Sequence, residues 1–295
     1  MTHTINERVG RLRSWMKENG FTAFVFPSSD PHNSEYVADH WKSREWISGF
    51  SGSAGTAVVT LEYAALWTDS RYFIAAEKEL NGTGFQLMKL RVEGTPSVSE
   101  WLASKLSTYE KAVVGLDGNV NSFAEVAAME QELATKGNIT VRTDADPMAE
   151  LWTDRPVIPD NMVSLHPLEY SGESTSSKVS RVRKHLLDCG ADGLLVTALD
   201  EIAWVLNLRG SDVHCNPVFV SYLLISPENI TLYINNVKLP DDVKAYLMSE
   251  HIDVQAYESV VEGLRLYAGK SLLVDMSSTN YSLATAVPFE KVCSG

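Results

Sequence analysis

Residues 20–26, Gly-Phe-Thr-Ala-Phe-Val-Phe, place a glycine directly before a short apolar run. Residues 190–196, Gly-Ala-Asp-Gly-Leu-Leu-Val, repeat this arrangement. Before each glycine, apolar residues recur at positions i, i+3 and i+7, which predicts an amphipathic helix that ends at the glycine. The apolar run after each glycine predicts a buried strand. Because one helix-to-strand unit occurs twice, the sequence predicts two similar domains.

The repeat extends in both directions from these two stretches. The apolar stripes of the two helices are Val9, Leu12 and Met16 in the first copy and Val179, Val182 and Leu186 in the second. Further along, a tryptophan lies six residues before a Gly-Ser pair in each copy, with Trp46 before Gly52-Ser53 and Trp204 before Gly210-Ser211.

Strand-like segments follow each Gly-Ser pair. Residues 56–60 and 64–68 predict a β-hairpin, and residues 218–225 and 231–234 predict its counterpart. Other strands are expected at 85–90, 112–116, 254–257 and 271–275, and helices near 97–107, 121–136, 240–250 and 258–267. Strands that alternate with helices but include an adjacent hairpin predict an α/β fold, with a mixed sheet flanked by helices in each domain.

A proline-rich stretch separates the two copies. Residues 152–167 contain Pro156, Pro159 and Pro167, and proline fixes φ and removes a backbone donor, so this stretch predicts an extended linker. We place the domain boundary near residue 157, which gives a first domain of residues 1–157 and a second of residues 158–295.

Composition excludes several classes of protein. The net charge of −13 over 295 residues argues against nucleic-acid binding, which needs a basic face. No apolar run approaches the roughly 20 residues of a membrane span, and the N-terminal residues do not resemble a secretion signal. The cysteines are Cys189, Cys215 and Cys293, an odd number without CxxC spacing. We therefore expect reduced thiols and a cytoplasmic protein.

The histidines show no metal-binding pattern. No two of the seven have the i, i+4 spacing of a helical zinc pair. Two segments, Asp30-Pro31-His32 and Asp212-Val213-His214, each place a carboxylate two residues before an imidazole. Two groups do not make a metal site, and we expect polar loops that hydrogen-bond their own backbone. The sequence predicts no metal site in this chain.

The segment Gly49-Phe50-Ser51-Gly52-Ser53-Ala54-Gly55 resembles a nucleophile elbow at first sight. An elbow needs a glycine two residues on either side of its serine, and neither Ser51 nor Ser53 has both. The segment instead predicts a tight turn in which small residues let neighbouring backbones approach closely.

Arg71 is a better candidate, because it follows a strand in Trp67-Thr68-Asp69-Ser70-Arg71-Tyr72-Phe73. A guanidinium there can bind a carboxylate or peptide carbonyl through two donors. Spacing alone favours a structural pair with Asp69 or a nearby glutamate. For Arg209, the structural alternative to ligand binding is that its side chain caps carbonyl groups of a loop. The chain shows no nucleophile with a base and no useful carboxylate pair, so no catalytic residue is predicted.

Several motifs resemble the first two domains of aminopeptidase P, the Xaa-Pro aminopeptidase of the creatinase and prolidase group. In the first half they are Ser28-Ser29-Asp30-Pro31-His32 with Ser34-Glu35-Tyr36, the Gly49–Ala57 segment and Trp67–Phe73. In the second half they are residues 151–156, Thr197–Trp204, Asn207–Val213 and Asn216–Phe219. The resemblance runs from about residue 5 to the end of the chain.

The resemblance implies two creatinase-N-like domains that precede a "pita-bread" catalytic domain. In the family that domain holds two divalent metal ions, usually manganese, through two Asp, one His and two Glu. None of these five ligands can be placed on a residue of this sequence. We therefore expect this chain to be the N-terminal two-domain part of a longer protein, inactive by itself and without the catalytic domain.

The resemblance also implies a role for Arg71, since the arginine of the family's Trp-Thr-Asp-x-Arg-Tyr-Phe motif reaches towards bound peptide. This resemblance outweighs the structural pair that spacing alone favours, and it makes Arg71 a predicted substrate-binding residue. The expected partners are short peptides with proline at the second position, the protein's own C-terminal catalytic domain and, in a homodimer, a second copy. The expected role is to restrict access and orient substrate. The alternative is a stand-alone, inactive protein- or peptide-interaction module.

Overall fold

A computed structural model describes residues 4–288 and, as backbone, residues 292–294. The chain forms two compact units. The first contains Met1–Ser29 and Asp39–Val157, and the second contains Asp30–Ala38 and Ile158–Gly295. The short segment Asp30–Ala38 therefore belongs to the second unit, although it interrupts the sequence of the first. The sequence did not predict this. The boundary near residue 157 stays a prediction.

The first unit is built on a six-stranded sheet with the order β4-β3-β2-β1-β5-β6. Its strands are β1 Ala23–Pro27, β2 Thr56–Thr60, β3 Ala64–Thr68, β4 Gln86–Lys89, β5 Ala112–Leu116 and β6 Ile139–Arg142. Its helices are α1 Ile5–Asn19, α2 Ser43–Ser48, α3 Phe73–Glu79, α4 Val98–Leu106, α5 Phe123–Ala134 and α6 Met148–Leu151. A 3₁₀ turn covers Asp39–Trp41.

The second unit carries a six-stranded sheet with the order β12-β11-β10-β8-β13-β14. Its strands are β8 Gly193–Val196, β10 Tyr222–Ile225, β11 Ile230–Tyr233, β12 Ile252–Gln255, β13 Leu272–Val274 and β14 Val292–Ser294, and β7 Ser164–Leu165 pairs separately with β9 Leu208–Arg209. Its helices are α7 Leu168–Ser171, α8 Thr175–Asp188, α9 Leu199–Leu206, α10 Asp241–Ser249, α11 Val260–Arg265 and α12 Tyr281–Ala286.

The two sheets have the same topology, strand for strand. In each, the first strand pairs antiparallel with the next main strand and parallel with the fifth, as β1 does with β2 and β5 and as β8 does with β10 and β13. The third and fourth strands pair parallel in both, β3 with β4 and β11 with β12. Both sheets are therefore mixed and flanked by helices, which confirms the predicted α/β fold and its duplication.

The first helix shows why the sequence pattern was readable. Thr4 and Glu7 form a reciprocal capping box at its start, and Gly20 ends it with a left-handed φ of 76°. Val9, Leu12 and Met16 are buried, as the predicted stripe requires. They pack in a core with Trp15, Phe21 and Phe24, whose rings stack or meet edge to face at 5.5–6.1 Å.

The second hairpin is shorter than predicted, because residues 218–221 lie outside β10. Their backbone groups bond to a preceding loop instead of to a neighbouring strand. Asp212 N donates to Val218 O at 3.2 Å, and Val220 N donates to Asp212 Oδ2 at 2.6 Å. Asp212 also forms a buried ion pair with Lys238. This ion pair fixes the loop that contains Asp212. Lys238 lies far from Asp212 in the sequence, so local sequence pattern does not predict the contact.

Candidate functional site

Arg71 lies in the turn between β3 and α3, where its guanidinium makes a bidentate pair with Asp69. Nε donates to Oδ1 at 2.9 Å and Nη2 donates to Oδ2 at 2.8 Å. The backbone N–H of Arg71 also donates to Oδ1 at 3.0 Å. The pairing that spacing alone favoured is therefore present. The Arg71 side chain is still 64% exposed, so the pair fixes the guanidinium without burying it.

The pair is strongly ionic. The hydrogen bonds from Arg71 lower the pKa of Asp69 to about 2. At neutral pH the carboxylate therefore stays charged and continues to hold the guanidinium. The guanidinium also lies 5.1 Å from the ring centre of Tyr72, the next residue. The arrangement presents a pre-oriented guanidinium at the surface of the first unit.

Tyr72 connects Arg71 to the glycine-serine loop of residues 49–55. Its hydroxyl lies 2.7 Å from Ser53 Oγ, and its ring meets Phe50 edge to face at 5.9 Å. A Cβ at Gly52 would lie 2.8 Å from Tyr72 Cδ1 and 2.3 Å from Phe50 Cζ. Only glycine fits between the two rings, so the identity of residue 52 determines how Tyr72 packs.

Arg44 fixes the other side of this loop from inside the protein. It is buried at 5% exposure, and it donates to the carbonyl oxygens of Phe50 and Gly52 and, at 3.0 Å, to Ser28 Oγ. Burial lowers the pKa of Arg44 to about 10, so it remains charged at neutral pH. The sequence reading missed this residue. The available signal was an arginine two positions before the repeated tryptophan and its apolar neighbour Ile47.

The serines of the loop have structural partners. Ser51 donates from its backbone N and from Oγ to the carboxylate of Glu79, at 2.9 and 2.7 Å. A Cβ at Gly55 would lie 2.7 Å from the carbonyl oxygen of Trp67. These contacts confirm that the segment is a tight turn allowing close backbone approach, as predicted, and neither Ser51 nor Ser53 is bonded to a histidine base.

Asp30 and His32 lie together in the second unit. Asp30 Oδ1 accepts the backbone N–H groups of His32 and Ser34 at 2.9 and 3.0 Å, which confirms the predicted polar loop. The burial of the His32 ring was not predicted. Its Nδ1 lies 2.9 Å from Thr197 O, and its Nε2 lies 2.9 Å from the Tyr257 hydroxyl.

The hydrogen bonds of His32 determine its tautomer. The carbonyl of Thr197 can only accept, so Nδ1 carries the hydrogen, and Nε2 accepts from Tyr257. Burial lowers the pKa of His32, which keeps the ring neutral. The ring packs against Tyr222 with 4.4 Å between centroids. Every one of these contacts is structural, and none leaves His32 positioned as a metal ligand.

The other predicted polar residues of the second unit also have structural roles. Arg209 Nη1 donates to the carbonyl oxygens of Ala203 and Leu208 at 3.0 and 2.8 Å, so it caps carbonyls. Asp212 bonds to the backbone of its own loop, as predicted, because its carboxylate accepts from Val220 N at 2.6 Å. Its buried ion pair with Lys238 was not predicted. His214 is exposed.

Two family models account for nearly the whole chain. One, described as the creatinase/prolidase N-terminal domain, matches residues 8–150, and another with the same description matches residues 154–294. The chain belongs to the creatinase/prolidase N-terminal domain family. Its two copies of this domain correspond to the two sheets, and they confirm the resemblance found in the sequence.

Longer proteins are similar to almost all of this chain. Aminopeptidase P2 of Arabidopsis thaliana is 38% identical over 285 residues, which is 95% of this chain and 40% of that protein. Xaa-Pro aminopeptidase 1 of Dictyostelium discoideum is 39% identical over 93% of this chain and 45% of its own length. The chain thus spans less than half of these relatives and corresponds to their N-terminal region.

A solved structure shows the same fold. The X-prolyl aminopeptidase of Caenorhabditis elegans, described as a cytosolic enzyme with a di-nuclear active site, is 29% identical. It superposes with a TM-score of 0.92 over 99% of this chain and 50% of its own chain. This agreement confirms the fold expected of the creatinase/prolidase N-terminal domains.

The residues of these two domains do not fit a di-nuclear metal site. Across residues 4–288, no group of three or more His, Cys, Asp or Glu side chains is arranged to hold a metal ion. Cys189 and Cys215 are exposed free thiols, and the side chain of Cys293 lies outside the described residues.

In the part of the chain that the structure describes, no helix is long and apolar enough to cross a membrane.

Proposed function

We propose that this chain is the non-catalytic N-terminal region of a Xaa-Pro aminopeptidase, an enzyme that removes the N-terminal residue preceding proline. In this proposal the two domains restrict access to a separate dimetal catalytic domain and orient the peptide. The observation that carries the proposal is the guanidinium of Arg71, held by Asp69 in a bidentate pair yet 64% exposed.

The geometry of Arg71 suits recognition of a peptide. A guanidinium that is already oriented loses less side-chain entropy when it binds, which strengthens each hydrogen bond it makes. Asp69 compensates most of the positive charge of Arg71. The guanidinium therefore attracts a peptide only at short range, through directional hydrogen bonds to a peptide carbonyl or carboxylate. Such a contact orients a substrate without taking part in bond cleavage.

The remaining parts of the proposal concern the substrate, the partners and the cellular location. The substrates are short peptides with proline at the second position. The partner that completes the active site is the C-terminal catalytic domain of the same protein, with two manganese ions, in a cytoplasmic homodimer. The walls of the two N-terminal domains exclude large folded proteins by size. The relatives' names support Xaa-Pro peptide substrates, and the C. elegans enzyme, described as cytosolic with a di-nuclear active site, supports the dimetal centre and the cytoplasmic location.

The test replaces Arg71 by alanine in the full-length aminopeptidase that contains this region. Loss of a charged hydrogen bond worth about 1.5–3 kcal/mol lowers kcat/KM by roughly 10- to 150-fold on a short Xaa-Pro peptide. Metal content stays unchanged, because Arg71 is no metal ligand.

Arg142 provides a matched control. It forms an equivalent exposed pair with Asp144, with Nε to Oδ1 at 3.0 Å and Nη2 to Oδ2 at 2.9 Å. Arg142→Ala removes the same type of ion pair from the first unit and leaves kcat/KM unchanged. Equal activity of Arg71→Ala and wild type would show that Arg71 does not bind substrate.

A further inference from the structure

A cavity of about 380 Å³ opens on the first unit. It is formed by the start of α1, the 3₁₀ turn, α2 and the segment that follows α6. Its lining residues are Arg8, Asp39, Lys42, Glu45, Trp46, Gly49, Trp152 and Pro156. Residues 69–72 are not among them, so this cavity and Arg71 are separate features.

The inner side of the cavity is aromatic and rigid. Trp46 and Trp152 stack with 5.6 Å between ring centroids and an interplanar angle of 23°. Trp46 is 8% exposed and belongs to the hydrophobic core, and Trp152 packs against that core while remaining partly exposed. Together with Pro156, the Trp152 ring provides a firm apolar surface for a flat, apolar ligand group.

Arg8 adds a fixed donor beside this surface. Its guanidinium lies 4.8 Å from the centre of the Trp46 ring, and Nη1 donates to Trp46 O at 2.7 Å. Within the described part of the chain, the buried Nε of Arg8 has no hydrogen-bond acceptor. Nε is enclosed by protein atoms, so a ligand oxygen in the cavity would bond to the accessible part of the guanidinium, which is only partly buried.

The charges around the cavity are balanced. Lys42 pairs with Asp39 at 2.6 Å, Arg8 adds a second cation and Glu45 adds a second carboxylate. Such balance disfavours a strongly charged ligand, for example a nucleotide, whose phosphates need a net basic surface. It suits a neutral ligand that carries both donors and acceptors.

We propose that this cavity binds a short proline-containing peptide segment in the extended polyproline II conformation. Proline rings pack on Trp152 and Pro156, as polyproline segments pack in other aromatic-lined grooves. A peptide carbonyl accepts from Arg8, and a backbone N–H donates to Glu45. Polyproline II leaves its carbonyls unbonded within the peptide, so they are available to Arg8. This site lies beyond the proposed role of Arg71 and does not depend on it.

The experiment titrates the 295-residue chain with the blocked peptide acetyl-Ala-Pro-Pro-Ala-Pro-amide. Binding is followed by calorimetry and by the NMR signals of the indole N–H groups of Trp46 and Trp152. We expect saturable binding that shifts both signals. The all-alanine blocked pentapeptide binds at least about fivefold more weakly, since it lacks the rings that pack on the aromatic surface.

Three variants locate the site. Trp152→Leu keeps an apolar side chain against the core but removes the ring, and Arg8→Lys keeps the charge but removes the planar donors. Each weakens binding by about fivefold or more. Lys17→Gln, which changes an exposed lysine at the far end of α1, leaves the affinity unchanged. Thermal unfolding of every variant verifies that it is folded.

Three outcomes would overturn the proposal. They are the lack of saturable binding at millimolar peptide, equal affinity for the proline and alanine peptides, and unchanged affinity in a folded Trp152→Leu variant. The shifts of the Trp46 and Trp152 indole signals place the binding in this cavity and distinguish it from the proposed role of Arg71.

Discussion

The carboxylate of Asp69 determines where the guanidinium of Arg71 points, and this coupling can be measured. Arg71 lowers the pKa of Asp69 to about 2. Because a depressed carboxylate pKa means that the charged form is favoured, the pair is intact above the ordinary pKa of 3.8 and is lost only as the pH falls through about 2. At neutral pH the orientation of Arg71 therefore stays the same.

We predict that Arg71→Ala returns the pKa of Asp69 towards 3.8. The measurement is an NMR titration of the side-chain carboxyl carbons. Asp144, which is paired with Arg142, keeps its own lowered pKa in the same variant and serves as the internal control. If Asp69 titrated near its ordinary pKa in the wild-type chain, the bidentate pair would not persist in solution.

Gly52 offers a second test at this scale. We predict that Gly52→Ala destabilises the first unit by about 1–3 kcal/mol, since the new methyl group would overlap Phe50 and Tyr72. Gly10→Ala is the matched control, because a Cβ at that helical position meets nothing within 4 Å. It should leave stability unchanged or raise it by about 0.5–1 kcal/mol. Urea unfolding measures both, and equal effects of the two substitutions would contradict the packing around Tyr72.

At the scale of an element, Arg44 holds the loop that supports Tyr72. We predict that Arg44→Met destabilises the first unit by about 3 kcal/mol or more, because two buried carbonyl groups and Ser28 Oγ lose their charged donor. Lys17→Met, at an exposed position, changes stability by less than about 0.5 kcal/mol. Comparable urea midpoints for the two variants would show that the loop does not need Arg44.

The segment Asp30–Ala38 is held in the second unit by His32, and this makes its attachment sensitive to pH. Burial lowers the pKa of His32 below 6.5, so at lower pH the unfolded chain takes up a proton that the folded chain excludes. Stability of the second unit therefore falls as the pH falls below 6.5, by up to about 1.4 kcal/mol per pH unit. Asp30 and Asp212 moderate this effect, Lys238 strengthens it, and Tyr222 and Tyr257 face the ring as neutral phenols.

Hydrogen exchange of peptides covering residues 30–38 and 222–225 measures this dependence. Between pH 7 and pH 5, corrected protection should decrease in the wild-type chain, and His32→Gln should flatten the decrease. His40→Gln removes a second histidine with a lowered pKa, which lies in the first unit, and should leave these peptides unchanged. A wild-type chain whose protection does not vary with pH would contradict the buried neutral state of His32.

Local patterns in the sequence predicted the elements that depend on local interactions. The stripe of Val9, Leu12 and Met16 and the glycine at position 20 specify α1, and the alternation in residues 56–68 specifies the first hairpin. The predicted strand at 254–257 was displaced by two residues, because Tyr257 begins a 3₁₀ turn and its hydroxyl bonds to His32. Contacts between residues 225 positions apart cannot be read from periodicity.

In the candidate site as well, a local contact was predicted, and contacts that form only on folding were missed. The pair of Arg71 with Asp69 spans two residues, and spacing predicted it. Arg44 was missed because its acceptors become visible only when the loop folds back over α2. The cavity beside Trp152 was missed as well, since α1, α2 and the segment after α6 meet only in the folded unit.

At the scale of the whole molecule, the duplicated sheet is the main feature. The orders β4-β3-β2-β1-β5-β6 and β12-β11-β10-β8-β13-β14 are the same order drawn from two parts of the chain. Yet the residues that occupy equivalent places differ in role. Arg71 lies three residues after the end of β3, and Asn236 lies three residues after the end of β11. Duplication produced two similar scaffolds, and we assign peptide binding to the first.

The central claim is that these two domains orient and select peptides but do not hydrolyse them. The most direct measurement is release of the N-terminal residue from a short Xaa-Pro peptide by the folded 295-residue chain, with manganese added. We predict no release above that in buffer, because residues 4–288 contain no group of ligands suited to a metal ion. Release that disappears on adding a chelator would show that these domains form a catalytic metal site, and would contradict the account.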